Sequence, residues 1–489
     1  MNFLMVRTNK NKMGKRLGLL LIAVILVTTS SKAQTKDSER EITLEQAIEM
    51  ALANNPQINR ALLAIDDADE LVNIARSEVY PDVISSINYT RNVELPVQFI
   101  PENVFDPNGD PNVLVPVSFG TDNNWQGGFT VTQNLFKGEA LVALKSSAVF
   151  RKVQEENFRA TSQQVITQTR IAYYAVLAAQ EQLRLQDSQI RRLETNLREN
   201  ESRAKAGIVD DYAVLRIRVQ LSNQKPQQIE AKYAVDEAYR NLNVAMGLPV
   251  NFLVKVKGSL NEFDILSETA AQTSNSHLKK IDRMNPYSFN SGMVDSTALT
   301  QNRGDIRIAE ANLSLREKQI RAEKSRFLPT LTASYNLQWS AAEAGSPTFF
   351  ENAKRFQTIG VNLNFPLFQG FSRMANLQRA QIQYKDVEEQ KRMAILMAQN
   401  EVASAGEELD KIFETASARK QALEQANTGY NRAKKRLESG LGSQLELTEA
   451  EIQVREAEVN YAIMVFNYLT AKANYDLATG MVPFVDTTN

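Results

Sequence analysis

Two pairs of neighbouring carboxylates are the residues whose types and spacing could carry chemistry. Glu446 and Glu449 lie three apart, so a helix would place both on one face. Asp210 and Asp211 are adjacent in a second segment of the same kind. Paired carboxylates on helix faces are usually solvated surface, and two simpler roles compete here. Ser443–Glu446 matches a capping box, and one of the two aspartates is expected to cap a helix.

The composition argues against an enzyme. None of the 489 residues is cysteine, which excludes thiol catalysis, disulfides and thiolate metal sites. The single histidine, His277, lies in a polar segment between two halves of the chain, and we interpret it as an exposed linker residue. The sequence has no nucleophile elbow, metal-ligand cluster or phosphate loop, so we predict no catalytic site, cofactor or metal. A formal net charge of −1 excludes a strong nucleic-acid footprint.

The first 33 residues have the parts of an export signal. A basic segment (residues 7–16) precedes the apolar run Leu17–Val27, and Ser31–Ala33 supplies small residues for cleavage. Eleven apolar residues fall short of the ~20 that a spanning helix needs. No lipid-anchoring cysteine follows, so we expect export without an acyl anchor and a mature chain that begins near Gln34. No later segment is apolar for long enough to span a membrane as a helix.

The elements that position the carboxylates occur twice. Arg203–Val209 is matched by Arg436–Gly442, and the central glycines of the two segments lie 233 residues apart. Leu135–Gly138 recurs as Leu367–Gly370 at nearly the same offset. Such self-similarity indicates a duplicated unit. We predict a signal peptide, a first repeat, an inter-repeat segment and a second repeat, over residues 1–33, 34–249, 250–295 and 296–489.

Each repeat is predicted to hold a helix, a β-hairpin and a long helical hairpin. The capping-box pattern Thr43–Gln46 opens the first helix, which we expect to end near Pro81. Apolar and polar residues then alternate on both sides of a Pro/Asn/Gly-rich loop at about 92–124, and again in the second half. The predicted β-hairpins cover residues 82–136 and 330–368. Each has one apolar face and one face of Thr, Asn, Gln and Ser.

Two very long helices follow the hairpins. Residues 140–206 contain no proline and would span roughly 100 Å as a helix, and residues 373–439 form a similar run. Both show seven-residue spacing of apolar residues, as does the second return helix. The spaced positions are Val176, Leu183, Ile190, Leu197 and Ala204; Val402, Leu409, Ala416, Leu423, Tyr430 and Leu437; and Leu445, Ile452, Val459, Phe466 and Ala473. Pro226 is expected to kink or break the first return helix. The predicted helical hairpins cover 140–247 and 372–479.

The amphipathic strands favour a membrane wall over a small sheet packed on helices. Long, narrow helical hairpins offer a sheet no flat apolar face, whereas an apolar exterior around a hydrated interior is typical of an outer-membrane barrel. Four strands cannot close a barrel, so copies must join. Two copies would fill the interior with side chains, and three would leave a lumen that the helices extend as a tube. Aromatic residues at the strand ends suit interfacial girdles: Tyr80, Trp125, Phe327, Trp339, Phe350 and Phe368.

Several motifs resemble one protein family. Ile42–Ala47 followed by Asn54–Pro56 resembles the N-terminal signature of outer-membrane efflux proteins of the TolC-like, trimeric channel-tunnel class. Asn302–Arg307 resembles the start of that family's second repeat, although Gly304 stands where proline is common. Leu135–Gly138 and its counterpart in the second half match the strand-to-helix junctions. The resemblance covers essentially the whole mature chain.

The resemblance implies a mixed α+β membrane protein in which three chains share one twelve-stranded β-barrel and an α-helical periplasmic tunnel. It also implies docking on a periplasmic adaptor (membrane fusion) protein, which is bound to an inner-membrane RND-type pump or ABC exporter. The chain would sit in the lipid of the outer membrane, extend into the periplasm and conduct substrates passively. A soluble periplasmic coiled-coil scaffold or adaptor is the alternative function.

The resemblance also assigns roles near the two turns. Glu446 and Glu449 fall where the family's entrance carries acidic rings, with a cap as the alternative for Glu446, and Asp210 and Asp211 are further gate candidates. Two turn segments resemble adaptor-docking grooves, and a glycine C-cap is the simpler explanation of each. The docking candidates are Gly207, Ile208, Gly440 and Leu441.

The positions of the family's closed-state latch have changed in this chain. Its acidic position aligns with Ala213, its basic position with Gly442 and its tyrosine with Leu437. We therefore expect packing or other ion pairs to hold the closed state.

Overall fold

The computed structural model describes residues 40–263, 302–347 and 351–482. The chain divides into two units, Met1–Arg40 and Glu41–Asn489, and the description below concerns the second. The predicted signal peptide, His277, Phe350 and most of the 250–295 segment lie outside the described residues.

Seven α-helices and eight β-strands are present in the described residues. The helices are α1 (Leu44–Asn54), α2 (Pro56–Ser77), α3 (Gly138–Lys205), α4 (Asp211–Ala245), α5 (Gly304–Ser325), α6 (Ser372–Glu438) and α7 (Gln444–Ala478). The strands are β1 (Arg40–Ile42), β2 (Asp82–Arg91), β3 (Val97–Pro101), β4 (Leu114–Ser118), β5 (Asn123–Phe136), β6 (Val254–Val256), β7 (Thr330–Glu343) and β8 (Lys354–Asn364).

The capping box at Thr43 is confirmed, but the single helix predicted from there to Pro81 is wrong. The Thr43 hydroxyl accepts a hydrogen bond from the Gln46 amide, and the Gln46 side chain accepts one from the Thr43 amide. The helix ends at Asn54 because Pro56 restricts Asn55 to an extended conformation. Asn55 then caps α2, and Pro56 occupies its first turn, where the missing amide costs nothing.

The two predicted hairpins join into one antiparallel four-stranded sheet. Its strand order is β2-β5-β7-β8, so the first repeat meets the second where β5 pairs with β7. Strands β2 and β8 form the edges, and no strand of the described residues pairs with their outer sides. The predicted loop at 92–124 contains a second, smaller hairpin of β3 and β4, which the turn-rich composition concealed.

The helices pack on one another rather than on this sheet. Helix α3 packs along α2, α4, α5 and α7, while α6 packs along α5 and α7. In the part of the chain that the structure describes, no helix packs extensively against either face of the four-stranded sheet. The alternative of a small sheet covered by its own helices is therefore not what this chain forms.

The long helices match the sequence prediction closely, with one exception at Pro226. Helix α4 runs unbroken through Pro226, so the predicted break is wrong. The predicted heptad positions Val176, Ile190 and Val402 are buried, but Leu445 at the start of α7 is largely exposed. Near that end of α7 the buried positions are instead Leu447 and Val454, also seven residues apart.

The main core lies midway along α3 and α6, at the level where the shorter return helices α4 and α7 end. It contains apolar side chains from α1, α3, α4, α6, α7 and β6, among them Tyr174, Leu177 and Leu242. Strand β6 belongs to the predicted inter-repeat segment, and the Lys257 amide after it donates a hydrogen bond of 2.9 Å to the carbonyl of Ile42. This part of the segment is therefore packed against the start of the first repeat.

Each repeat contains an equivalent contact at this level. The Asn55 side-chain amide donates to the carbonyl of Ala245 at the end of α4, at 2.8 Å. The Arg303 guanidinium donates to the carbonyl of Ala478 at the end of α7, also at 2.8 Å. In each repeat, the residue just before α2 or α5 therefore donates a side-chain hydrogen bond to the last residue of the return helix, α4 or α7.

A buried ion pair crosses between the repeats beside these contacts. The Arg170 guanidinium on α3 lies 2.7 Å from the Asp476 carboxylate on α7, and the Arg170 side chain is only 3% exposed. Burial by itself would lower the pKa of Arg170, but Asp476 and Tyr174 raise the pKa above its ordinary value on balance. The charge is thus kept inside the fold by a specific partner.

Candidate functional site

The two helical turns that carry the candidate residues have the same geometry. After α3, the Gly207 amide donates to the carbonyl of Ala204 and the Ile208 amide donates to that of Arg203. After α6, Gly440 and Leu441 repeat both bonds. Each set is a Schellman cap, which requires a left-handed residue after the helix; φ is 72° at Gly207 and 73° at Gly440.

The cap explains each glycine but not the residue that follows it. Ile208 is 71% exposed and Leu441 is 75% exposed. A Schellman motif often buries the residue at this position against the helix, whereas here both side chains project outward. The four docking candidates therefore form two small apolar tips of identical backbone geometry.

Both tips lie at the same end of the helical hairpins. Asn200, about two turns before the first tip, donates from its side chain to the Gln444 side chain just after the second, at 3.4 Å. The acidic candidates are consequently at this end too.

Of the two aspartates, the structure gives Asp210 the capping role. Its carboxylate accepts a hydrogen bond from the Tyr212 amide at 3.3 Å. Asp211 is the first residue of α4, where a negative charge favours the positive end of the helix dipole. Both residues are exposed. A cap accounts for the type of residue at 210, and the dipole accounts for 211.

Glu446 and Glu449 differ in their surroundings. The predicted capping box is half formed, because the Ser443 hydroxyl accepts from the Glu446 amide at 3.2 Å. The Glu446 carboxylate does not complete the box but lies 3.2 Å from Nε of Arg436 across the turn. Glu449, one turn further along α7, is exposed and has no ion pair within the described ranges. The structure thus leaves Glu449 as the uncompensated charge of the two.

A polar seam between the helices is the feature that sequence reasoning missed. Amide and charged side chains link α3, α4 and α7 in the half nearer the turns, through Asn200–Gln444, Gln228–Asp187, Arg455–Gln224 and Arg192–Glu458 at 3.4, 2.7, 3.2 and 3.6 Å. Buried polar residues of this seam recur at heptad spacing, as at 186 and 200 or 189 and 196. Searching heptads for amides as well as apolar residues would have found them.

The seam also holds a buried acid. Glu451 on α7 is 7% exposed. Burial raises the pKa of its carboxyl, and the nearby Arg192 guanidinium opposes that rise. Glu451 faces the neighbouring helices of its own chain, unlike Glu449.

The sheet carries the second functional surface, and its two faces differ as predicted. The register puts Val83, Val131, Tyr335 and Ile359 directly opposite one another across four strands, so they share one face. On the edge strands the apolar side chains of this face are exposed, Ile359 most of all at 81%, whereas Val131 and Tyr335 on the central strands are half-buried. On the other face Thr130 donates to Asn336 at 2.8 Å, and Asn336 donates to Thr358 at 3.3 Å.

The predicted aromatic residues near the strand ends differ in their exposure. Tyr80, Phe327 and Phe368 are exposed at the end of the sheet joined to the helices. Trp125 at the far end is only 9% exposed, because its ring stacks on Tyr89 with 4.1 Å between centroids. Trp125 thus lies at a strand end, as predicted, with its ring covered by Tyr89.

The described residues contain neither a helix suited to span a membrane nor a cluster suited to hold a metal. Among the described residues, no helix is both long and apolar enough to cross a membrane. Within the same ranges, no group of three or more His, Cys, Asp or Glu side chains has the arrangement to hold a metal ion.

Known proteins match this chain along nearly its whole length. TolC, an outer membrane protein of Escherichia coli strain K12, is 22% identical over 476 residues, which cover 95% of this chain and 86% of that protein. The alkaline protease secretion protein AprF of Pseudomonas aeruginosa is 20% identical over 441 residues, covering 89% of this chain and 84% of that protein. The crystal structure of the Campylobacter jejuni CmeC outer membrane channel superposes with a TM-score of 0.69, covering 90% of this chain and 85% of that one at 18% identity.

The sequence pattern of one family fits both halves in turn. The pattern described as outer membrane efflux protein matches residues 47–248 and then residues 296–481. These segments contain the sheet, both long helical hairpins and both turns with their candidate residues. The chain therefore belongs to the outer membrane efflux protein family.

Proposed function

We propose that three copies of this chain form one passive duct that carries substrates from the periplasm through the outer membrane. The family consists of outer-membrane transport channels rather than enzymes. The trimer, the adaptor contacts and the roles of individual residues are the new parts of the proposal.

The observation that carries the proposal is a sheet with two open edges and two unlike faces. Its exposed face of Val, Ile, Leu and Tyr suits lipid, and its hydrogen-bonded face of Thr and Asn suits water. Unpaired edges cannot remain in a bilayer, because each unsatisfied backbone group costs several kcal/mol (about 2–7). Edge β8 of one copy is antiparallel to edge β2 of the next, so copies can close a ring.

The number of copies follows from the strand count. Two copies would give eight strands, and eight-stranded barrels are filled by their own side chains. Three copies give twelve strands and leave space for a hydrated lumen. Threonine and asparagine on the inner face are chemically generic, so we assign substrate choice to the inner-membrane pump.

The helices offer a matching surface for neighbouring copies. Helix α4 has exposed apolar residues in two groups, before and after Pro226, and within each group the spacing is the three or four residues of a coiled-coil seam. They are Tyr212, Leu215, Val219, Ile229 and Tyr233. A seam of this kind would be buried if the helical hairpins of three copies stand side by side around the lumen.

The apolar tips suit a partner at the periplasmic end. Ile208 and Leu441 project beyond their Schellman caps, and each presents one large apolar side chain to solvent. We assign them, with Gly207 and Gly440, to docking of a periplasmic adaptor. That adaptor would link the duct to an RND-type pump or an ABC exporter.

The assembly itself is the first prediction. The mature chain is expected in the outer-membrane fraction, as a trimer that survives on unheated gels and runs as a monomer after boiling. Envelope fractionation with paired unheated and boiled samples measures this, and extraction with and without detergent is the control. Recovery as a water-soluble periplasmic monomer would instead support the scaffold or adaptor function.

The second prediction concerns the mouth. Three copies would place Glu446 and Glu449 in two acidic rings, which favour cations over anions. Glu449→Gln should lower the cation-to-anion permeability ratio more than Glu446→Gln, because Arg436 already compensates Glu446. A ring potential of several kT changes the ratio roughly threefold for each kT removed. Planar-bilayer reversal potentials in a salt gradient measure it.

A charge of the opposite sign provides the control. Arg436→Gln frees the Glu446 carboxylate, so the ratio should rise rather than fall. Asp211→Asn tests the remaining gate candidate on α4. An unchanged ratio in all four variants would remove the acidic rings from the proposal and leave the trimer untouched.

A further inference from the structure

Two arginines interrupt the apolar face of the sheet at the end far from the helices. Arg91 is the last residue of β2, and Arg355 is the second residue of β8. Arg355 pairs with Trp339 and Arg91 with Asn123, so the register places both arginines on the same face as Ile87. Both side chains are exposed, and neither has an ion pair or hydrogen bond among the described residues.

The position of these charges along the strand limits what they can face. An arginine on a lipid-facing wall costs about 2–4 kcal/mol at the bilayer midplane and about 0–1 near its surfaces. Tyr89 and Trp339 lie at the same end, as expected of an interfacial aromatic belt. The helices attach at the other end of the sheet. In the proposed duct, the arginines are therefore level with the headgroups of the outer leaflet.

The two edges bring these arginines together only between copies. Within one chain, β5 and β7 separate β2 from β8. Strand β8 begins at the end of the sheet where β2 finishes, so closing the wall brings Arg355 of one copy and Arg91 of the next to the same end of one seam. Each seam then presents two guanidinium groups outward. Lys354, the neighbour of Arg355, points to the opposite face because successive strand residues alternate.

An apolar recess adjoins the same level of the wall. A cavity of about 350 Å³ is lined by Ile87, Phe129 and Trp339, among others, and Gly127 leaves its floor without a side chain. Gly127 pairs with Trp339, which pairs in turn with Arg355. The recess at Gly127 is thus two strands away from Arg355 on the same face of the sheet.

We propose that each seam of the trimer binds one phosphate-bearing acylated lipid of the outer leaflet. The phosphate would accept hydrogen bonds from Arg355 of one copy and Arg91 of the adjoining copy, and an acyl chain would lie in the recess beside Trp339. Guanidinium groups suit this role because they bind phosphate in a planar, bidentate manner. The inference rests on the proposed trimer, since the site is incomplete in a single chain.

The test compares Arg355→Gln, Arg91→Gln and the double variant with Lys354→Gln, a matched loss of charge on the other face. The purified full-length trimers are exposed to mixed micelles of neutral detergent with lipid A, a phosphorylated acylated glycolipid, and native mass spectrometry counts the lipids retained. Wild type should retain up to three. Each arginine substitution should weaken retention roughly tenfold, since a hydrogen bond to a charged group contributes about that much. Lys354→Gln should retain lipid like wild type.

Other outcomes separate this inference from the trimer itself. Equal loss in Lys354→Gln would mean attraction by net charge and would overturn the site. Competition by inorganic phosphate at concentrations comparable to the lipid would mean a simple anion site without a chain. A stable wild-type trimer that retains no lipid overturns this inference alone, whereas the absence of a trimer overturns the proposed function and this inference together.

Discussion

Ile359→Arg should prevent the chain from assembling in the outer membrane. Ile359 is the middle residue of β8 and the most exposed apolar side chain of the outward face. At mid-depth an arginine there costs about 2–4 kcal/mol per copy, or roughly 6–12 kcal/mol for three copies. The trimer band on unheated gels and the amount of chain in the outer-membrane fraction measure the effect.

The neighbouring residue provides a matched control. Thr358 lies on the opposite face, where its hydroxyl accepts a hydrogen bond from Asn336. Thr358→Arg introduces the same side chain one residue away, and a hydrated lumen should tolerate it. We expect normal trimers with lower cation selectivity. If both variants assemble equally well, the exposed apolar face does not contact lipid.

Gly247→Ala and Gly480→Ala should destabilise the protein much more than the same change at the turns. Gly247 follows α4 with φ 71°, and a Cβ there would lie 2.6 Å from the backbone of Asn54 and Asn55. Gly480 follows α7 with φ 70°, and its Cβ would lie 2.7 Å from the carbonyl carbon of Asn302. A left-handed alanine costs about 1–2 kcal/mol, and overpacking adds about 1–3.

Gly207→Ala and Gly440→Ala are the matched controls. Both glycines have nearly the same φ, but no atom lies within 4 Å of an added Cβ. In these variants the free energy of unfolding should fall by only about 1–2 kcal/mol, the conformational cost of a left-handed alanine. Thermal unfolding of the detergent-solubilised trimer, followed by far-ultraviolet circular dichroism, compares the four. Equal losses at all four positions would mean that the close contacts at 247 and 480 relax without cost.

Much of the fold could be predicted because its elements obey local rules. Alternation in the strands, the long proline-free runs and the paired glycines specified the sheet and both hairpins to within a few residues. The break at Asn55 was missed because apolar spacing continues across it, although the Asn–Pro pair is itself a stop and start signal. Helix α4 continues through Pro226 without the predicted break, because packing along α3 outweighs one lost hydrogen bond.

Other features depend on contacts that no local pattern contains. Trp125 is covered by a ring on the neighbouring strand, which only the register reveals. Gly304 departs from the proline common in the family, and the structure gives a reason. A Cβ at 304 would lie 2.6 Å from that of Ala160 on α3, so the close approach of α3 leaves no room for a side chain at this position. The roles of the acidic residues and of the tips remain predictions.

The unequal composition of the helix interfaces has a mechanical consequence. Toward the turns, α3 and α7 are joined by amides and charges whose bonds water can replace at small net cost. Midway along α3, at the level where α7 ends, tyrosine and leucine side chains exclude water, and parting them would expose apolar surface. Each pair of helices should therefore be able to separate near its turn, where water replaces the polar contacts, while the apolar core acts as a fixed pivot. The helices need not unwind for this motion.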